Sequence, residues 1–206
     1  MRSTAILRFV PLLSVVFLSK AMAAEYPTPT TVTDRLHETL VEVMRNADKL
    51  GYTGRYEELE PVIADSFDFK VIGRAVLGRY WNKLDEKQKL KFLDTFSKLS
   101  TATYASQFDS YSGETFRNVA EEEKSSGRML VKTELVNEDG ESVSFSYWVH
   151  SREGKWLIIN VVADGVSDLA LKRADYTAVM QERGFDALLG KLNNKIQEYE
   201  TSKSGQ

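Results

Sequence analysis

Asp164 and Asp168 flank Gly165-Val166-Ser167, a spacing at which two carboxylates could act as general acid and base in an isomerase- or dehydratase-type site. Asp168 also has a plain structural reading, because a carboxylate early in a helix sits at the positive end of its dipole. Few other residues offer chemistry. The chain has no Cys and two His. His37 stands beside Glu38 in a helical pattern and is expected on or near the surface, and His150 falls at a strand end. Neither belongs to an H-x-x-x-H or Cys/His arrangement, so no metal site is expected. There is no G-x-S-x-G, no P-loop and no G-x-G-x-x-G, so phosphate cradling is not indicated. Glu121-Glu122-Glu123 reads as a solvated loop tip. Arg74, Arg79, Arg173 and Arg183 stand near helix ends, where they could meet anionic groups at a cavity mouth or form ordinary surface ion pairs.

Aromatic surface, by contrast, is plentiful. The stretch from Val76 to Phe108 carries Tyr80, Trp81, Phe92, Phe96, Tyr104 and Phe108 in one amphipathic run. Such a helix suits a protein that holds something apolar and does not transform it.

The elements that would position these residues follow from periodicity. Thr31 or Thr33 can cap a helix on which Leu36, Leu40, Val43, Ala47 and Leu50 recur at helical spacing, ending at Gly51. A weaker helix is expected from about Arg55 to Ser66, with Pro61 arguing for a break or kink. Asp68 can cap a short helix to about Leu77. Asp85 to Gln88 fits a capping box, opening the longest helix, about Glu86 to Tyr111. The period then changes to two. Strands are expected at Thr115–Val119, Arg128–Val136, Glu141–His150 and Lys155–Ala163, with turns at Glu138-Asp139-Gly140 and Arg152-Glu153-Gly154. Short connections make them an antiparallel meander. Ser167 can cap a helix to about Glu182, and after Gly184 a last helix runs to about Glu200. Helices flanking a block of strands indicate an α+β fold, with helices over one face of a curved antiparallel sheet of about four strands.

The first 23 residues read as a secretory signal peptide. Arg2 and Arg8 precede an apolar run from Phe9 to Leu18, too short for the roughly twenty residues of a membrane span, and Ala21-Met22-Ala23 is a small-x-small cleavage site. Residues 24–206 then form one domain, a soluble and monomeric product outside the cytoplasm. Losing Arg2, Arg8 and Lys20 and no carboxylate takes the formal charge from −3 to −6, which argues against nucleic acid as a partner.

Phe67-Asp68-Phe69, Val76-Leu77-Gly78-Arg79-Tyr80-Trp81, then Gln88, Phe92, Phe96 and Thr103-Tyr104-Ala105 stand in an order that resembles the periplasmic lipid-carrier family of the bacterial lipid-asymmetry system, also called the toluene-tolerance family. Gly154-Lys155-Trp156-Leu157-Ile158, Gly165-Val166-Ser167 and Gly184-Phe185-Asp186-Ala187-Leu188-Leu189 extend the resemblance over nearly the whole mature chain. It implies a cone-shaped, transport-factor-like fold whose apolar cavity takes lipid acyl chains and leaves the headgroup exposed. It also implies exchange with inner-membrane and outer-membrane complexes, and neither cofactor nor catalysis. The phospholipid branch usually carries Asn-Tyr-Arg after Gly-Val-Ser; here Leu171-Lys172-Arg173-Ala174-Asp175-Tyr176 fills that region, and Asn160 stands where that branch has Asp. The run from Asp164 to Ala170, followed by Lys172-Arg173, looks more like the hopanoid-associated branch. The cargo is therefore a phospholipid or a hopanoid.

The residues supply a matching physical reading. Val143, Phe145, Tyr147 and Val149 make one sheet face, and Phe92, Phe96, Leu99 and Thr103 one helix face. If these faces do not close fully, they line a cavity, with the hydroxyls of Tyr80, Tyr104 and Tyr176 near its mouth and Arg79 and Arg173 as headgroup or partner contacts. If they close, the same residues are ordinary core and the protein is an adaptor without ligand. Two acyl chains of about thirty methylenes together cost on the order of 24 kcal/mol to expose, which is why a carrier would be needed.

Overall fold

The computed structural model describes residues 28–203. The expected signal segment, residues 1–23, lies outside the described residues. Among the described residues, six α-helices and two short 3₁₀ helices (Gly78–Lys83 and Ser125–Gly127) accompany a five-stranded sheet: α1 (Pro29–Arg45), α2 (Ala47–Ser66), α3 (Phe69–Leu77), α4 (Glu86–Gln107), α5 (Asp168–Glu182) and α6 (Gly184–Lys203), with strands β1 (Thr115–Glu123), β2 (Arg128–Val136), β3 (Ser142–Arg152), β4 (Lys155–Ala163) and β5 (Val166–Ser167). Strand order follows the chain and every pairing is antiparallel. The α+β meander is thus as expected, with a two-residue fifth strand added. No described helix is long and apolar enough to cross a membrane.

Local chemistry explains most boundaries. Asp85 and Gln88 exchange the two bonds of a capping box, Gln88 N–H to Asp85 Oδ1 at 2.8 Å and Asp85 N–H to Gln88 Oε1 at 3.0 Å, and so open α4. Ser167 caps α5 by accepting from the Ala170 N–H at 3.2 Å. Four expectations need correction. Helix α1 is capped by Thr28, whose N–H donates to Thr31 Oγ1 at 3.0 Å, with Pro29 in the first position where its missing N–H costs nothing. Helix α2 passes through Pro61, which faces solvent, without the expected break; the kink falls at Gly51, φ +57°, at the expected end of the first helical run. Helix α4 stops at Gln107, and Phe108 turns the chain. Finally, Glu121, Glu122 and Glu123 belong to β1, not to a loop tip. Glu122 is held by Lys124 at 2.6 Å, just beyond the strand, and by Lys132 across it on β2, which sets cations beside this acidic edge strand.

Two apolar clusters hold these elements. In one, Leu36, Leu40 and Val43 of α1 and Leu59 and Ile63 of α2 meet Ala102 and Ala105 of α4 and Val131, Tyr147, Val149 and Ile158 of the sheet. In the other, Val76, Leu77, Trp81, Phe92, Phe96 and Leu99 meet Tyr176 of α5 and Leu188 and Leu192 of α6. Phe67 and Phe69 pack against both clusters.

Three polar contacts tie the helices to this frame. Arg55, 5% exposed, donates from Nε to the Ala105 carbonyl at 2.9 Å and from Nη1 to the Ala47 carbonyl at 3.2 Å, placing a cation at the negative end of α4. The Asp68 side chain accepts from the Val71 N–H at 3.1 Å, from His150 Nε2 at 2.9 Å and from Arg152 Nη1 at 2.6 Å, and its own N–H donates to the Ile158 carbonyl at 2.9 Å. His37 is the third, and the structure corrects its expected surface position: it is 4% exposed, stacked on Phe116 at 3.7 Å, with Nε2 3.0 Å from the Tyr147 hydroxyl. Loss of hydration on burial lowers its pKa from 6.5 to about 3.

Two expected outcomes follow from these contacts. Replacing Asp68 by Ala leaves His150, Arg152 and the start of α3 without their shared acceptor, and urea unfolding should register a loss of about 3 kcal/mol. For His37, the folded protein resists a proton that the unfolded chain accepts below about pH 6.5. Its share of stability is therefore intact above that pH and declines as pH falls toward 3. His37→Gln removes this titration, so the stability advantage of the wild type over the variant should shrink steadily below pH 6.5; a constant difference across that window would contradict the assignment.

Candidate functional site

A cavity of about 440 Å³ lies between α4 and the inner face of the sheet, bounded by residues of both apolar clusters. Its walls come from four directions. Phe67, Phe69 and Ile72 close one end; Phe96 and Tyr104 project from α4, with Phe108 just past its end; Leu135, Phe145, Tyr147 and Val161 rise from the sheet; Leu169 and Leu171 come from α5. Ring contacts brace the wall: Phe67 and Phe69 are 5.9 Å apart, Phe69 meets Phe96 edge-on at 5.7 Å, and Tyr104 stacks on Phe108 at 5.7 Å. The exposed members of the lining, Gln107, Val166, Asp168 and Leu171, mark the mouth beside the first turn of α5.

The polar groups of this lining are largely occupied elsewhere. Ser100 and Thr103 donate their hydroxyls back to the Phe96 and Leu99 carbonyls at 2.9 and 2.8 Å. Tyr147 turns its hydroxyl away toward His37 and gives the cavity its ring. Asn160 Oδ1 accepts from Ser167 Oγ at 3.1 Å and from the Leu169 N–H at 3.3 Å, which fixes the start of α5 over the mouth. Burial, followed by the charge of Asp168, pushes the Tyr104 phenol up, so it stays neutral. The pocket is therefore an apolar hollow with its charge confined to Asp168 and Lys172 at the mouth, and these two are paired with each other.

The structure gathers Phe96, Tyr104, Phe145 and Tyr147 on this wall. It places the other residues singled out from the sequence elsewhere. Phe92 and Val149 are fully enclosed, and Tyr80 is buried. Leu99 and Tyr176 face a separate hollow between α5 and α6, beside Arg183, Lys191 and Lys195. Val143 is 38% exposed on β3 and is not part of the lining. Arg79 donates to the Tyr80 hydroxyl at 3.0 Å and to Gln181 Oε1 at 3.2 Å, while the Arg173 guanidinium lies against Gly78. The cavity cation is Lys172, one residue earlier. Periodicity missed Phe67 and Phe69. Phe67 is extended backbone in a bridge to Ile158, so both rings fall on one side of the Asp68 tie.

Asp164 and Asp168 do not form a buried acid–base pair. Asp164 is exposed and accepts from the Ser144 N–H and hydroxyl at 2.8 and 3.1 Å, and the Asp168 side chain is 56% exposed.

The fold and the sequence have counterparts. In the solved structure of a phospholipid-binding protein from Ralstonia solanacearum, in complex with a phospholipid, the same fold recurs with a TM-score of 0.71 and 19% identity, over 82% of this chain and 95% of that one. A curated relative from Haemophilus influenzae, the intermembrane phospholipid transport system binding protein MlaC, is 24% identical over 124 residues, 58% of this chain and 58% of that protein's length. The alignment thus spans little more than half of that relative. The family model described as MlaC protein matches residues 34–194, from the second turn of α1 into α6, and takes in every wall of the cavity. The chain belongs to the MlaC protein family.

Proposed function

We propose that the protein is a periplasmic lipid carrier, which takes an acyl chain of a membrane lipid into the cavity and moves it between an inner-membrane transporter complex and an outer-membrane complex. The observation that carries this reading is the apolar hollow of about 440 Å³ between α4 and the sheet, with its mouth at the start of α5. At about 30 Å³ for a group the size of water or methylene, it accommodates about fifteen such groups, the length of one acyl chain. Leaving that chain in water would cost about 12 kcal/mol. A second chain would lie along the exposed Leu171 and Val166 at the mouth, 60% and 53% exposed. A phospholipid is the cargo favoured by the Ralstonia and Haemophilus relatives; a hopanoid is the alternative raised by the residues around Asp164 to Arg173. The cargo is carried unchanged: neither Asp164 nor Asp168 is set in the buried environment that acid–base chemistry on an apolar substrate would require. The leader of residues 1–23 would direct export, and the protein would work as a monomer without cofactor.

The test is organic extraction of protein purified from its native periplasm, followed by mass spectrometry. Phospholipid at close to one molecule per chain is expected; hopanoid would change the cargo, and absence of lipid would overturn the reading. Enlarging the wall checks the location. Phe145→Trp should take up part of the hollow that the acyl chain would fill, reducing retained lipid about fivefold or more while the fold persists. Unchanged occupancy would remove Phe145 from the lining.

A further inference from the structure

The lining changes from apolar to exposed at the first two turns of α5, and its charged residues there are Asp168 and Lys172. They are one helical turn apart and ion-paired. Their exposures differ. The Lys172 side chain is 21% exposed, with its stem along the wall, whereas that of Asp168 is 56% exposed. Asp168 nevertheless acts on the interior, because its charge follows burial in pushing up the phenols of both Tyr104 and Tyr176. The other cations considered do not line the cavity: Arg79 donates to Tyr80 and Gln181, and Arg173 lies against Gly78. Lys172 is thus the cation whose position is fixed at the mouth, and its present partner is a carboxylate supplied by the same helix.

We propose that Asp168 is an internal stand-in for the cargo's headgroup, and that Lys172 exchanges it for the phosphate of a net anionic lipid, so that the pair selects anionic over zwitterionic headgroups. This rests on the carrier reading and adds the headgroup class to it. A pair whose carboxylate is 56% exposed is weak at this spacing, so an incoming phosphate displaces it at little cost. A lipid whose acyl chain fills the hollow must bring its headgroup to the band where the wall ends, which is where Lys172 stands. The released Asp168 then faces water, which its exposure allows. A headgroup that brings its own cation has less to gain from Lys172 and does not relieve the pair. When the lipid leaves, Asp168 reclaims the lysine, so the mouth never holds an unpaired cation.

The pair gives two variants of opposite sign. Full-length mature protein is incubated with vesicles of equimolar phosphatidylglycerol and phosphatidylcholine, re-isolated and extracted, and the ratio of the two lipids retained is measured. Lys172→Gln should lower the anionic-to-zwitterionic ratio about fivefold, Lys172→Arg should restore it, and Asp168→Asn should raise it about threefold by removing the competitor. A ratio unmoved by Lys172→Gln and Asp168→Asn, in proteins that still take up lipid, overturns this proposal and leaves the carrier reading standing. Ratios that fall together in both variants also overturn it, since Asp168 would then be a support and not a competitor. Wild-type protein that takes up neither lipid overturns the carrier reading along with the proposal.

Discussion

Phe67 and Phe69 can stand as a wall because the residue between them is tied down. The Asp68 carboxylate, with its side chain 1% exposed, binds the start of α3 and the end of β3 at once, and its backbone pairs with β4. That junction sits where both apolar clusters meet, and apolar surface that can reach other apolar surface will close on it. An open hollow of this size therefore requires that its walls be held by something other than contact with each other. Hydrogen bonds of a buried carboxylate are suited to this, because they are directional and costly to break.

The same logic recurs on the opposite wall. Tyr147 is held by His37, which itself stacks on Phe116, and the C-terminal end of α4 is tied to α2 by Arg55. Each of these polar groups is itself buried, and each has its partners on a different element from its own or across a kink. The wall residues can consequently present rings to the hollow while their polar atoms are satisfied behind it. The mouth follows another rule. There Asn160 fixes the backbone of α5, while Asp168 and Lys172 leave charge near exposed apolar side chains. The result is an apolar interior with a charged rim, the arrangement suited to a molecule with a greasy body and a polar head.

Much of this was legible from the residues. The capping box at Asp85, the alternation along β2 and β3 and the turn at Glu138-Asp139-Gly140 are local signals, and they led to the elements found. Inward alternation also placed Phe145 and Tyr147 on the wall. The stripe on α4 misled for a geometric reason. Over twenty-two residues one helix face meets several neighbours, so Phe92 and Leu99 turn toward α5 and α6 while Ser100, Thr103 and Tyr104 turn toward the hollow. On α5, one residue is about 100° of rotation, which is the difference between Lys172 at the mouth and Arg173 beside Gly78. His37 reads as polar and hence exposed, but its partner Tyr147 is 110 positions away, beyond the reach of any local pattern. Phe67 is extended only because β4 offers a bridge, again a tertiary cause.

The central claim is that an acyl chain lies between α4 and the sheet. Its most direct test is a phospholipid carrying a photoreactive diazirine midway along one chain, loaded into the protein, irradiated and mapped by peptide mass spectrometry. Adducts should concentrate on Phe67, Phe69, Tyr104 and Phe145, the residues that enclose the hollow. Adducts confined to the α5–α6 hollow around Tyr176 and Leu192, or spread over the exposed face of the helices, would contradict the account.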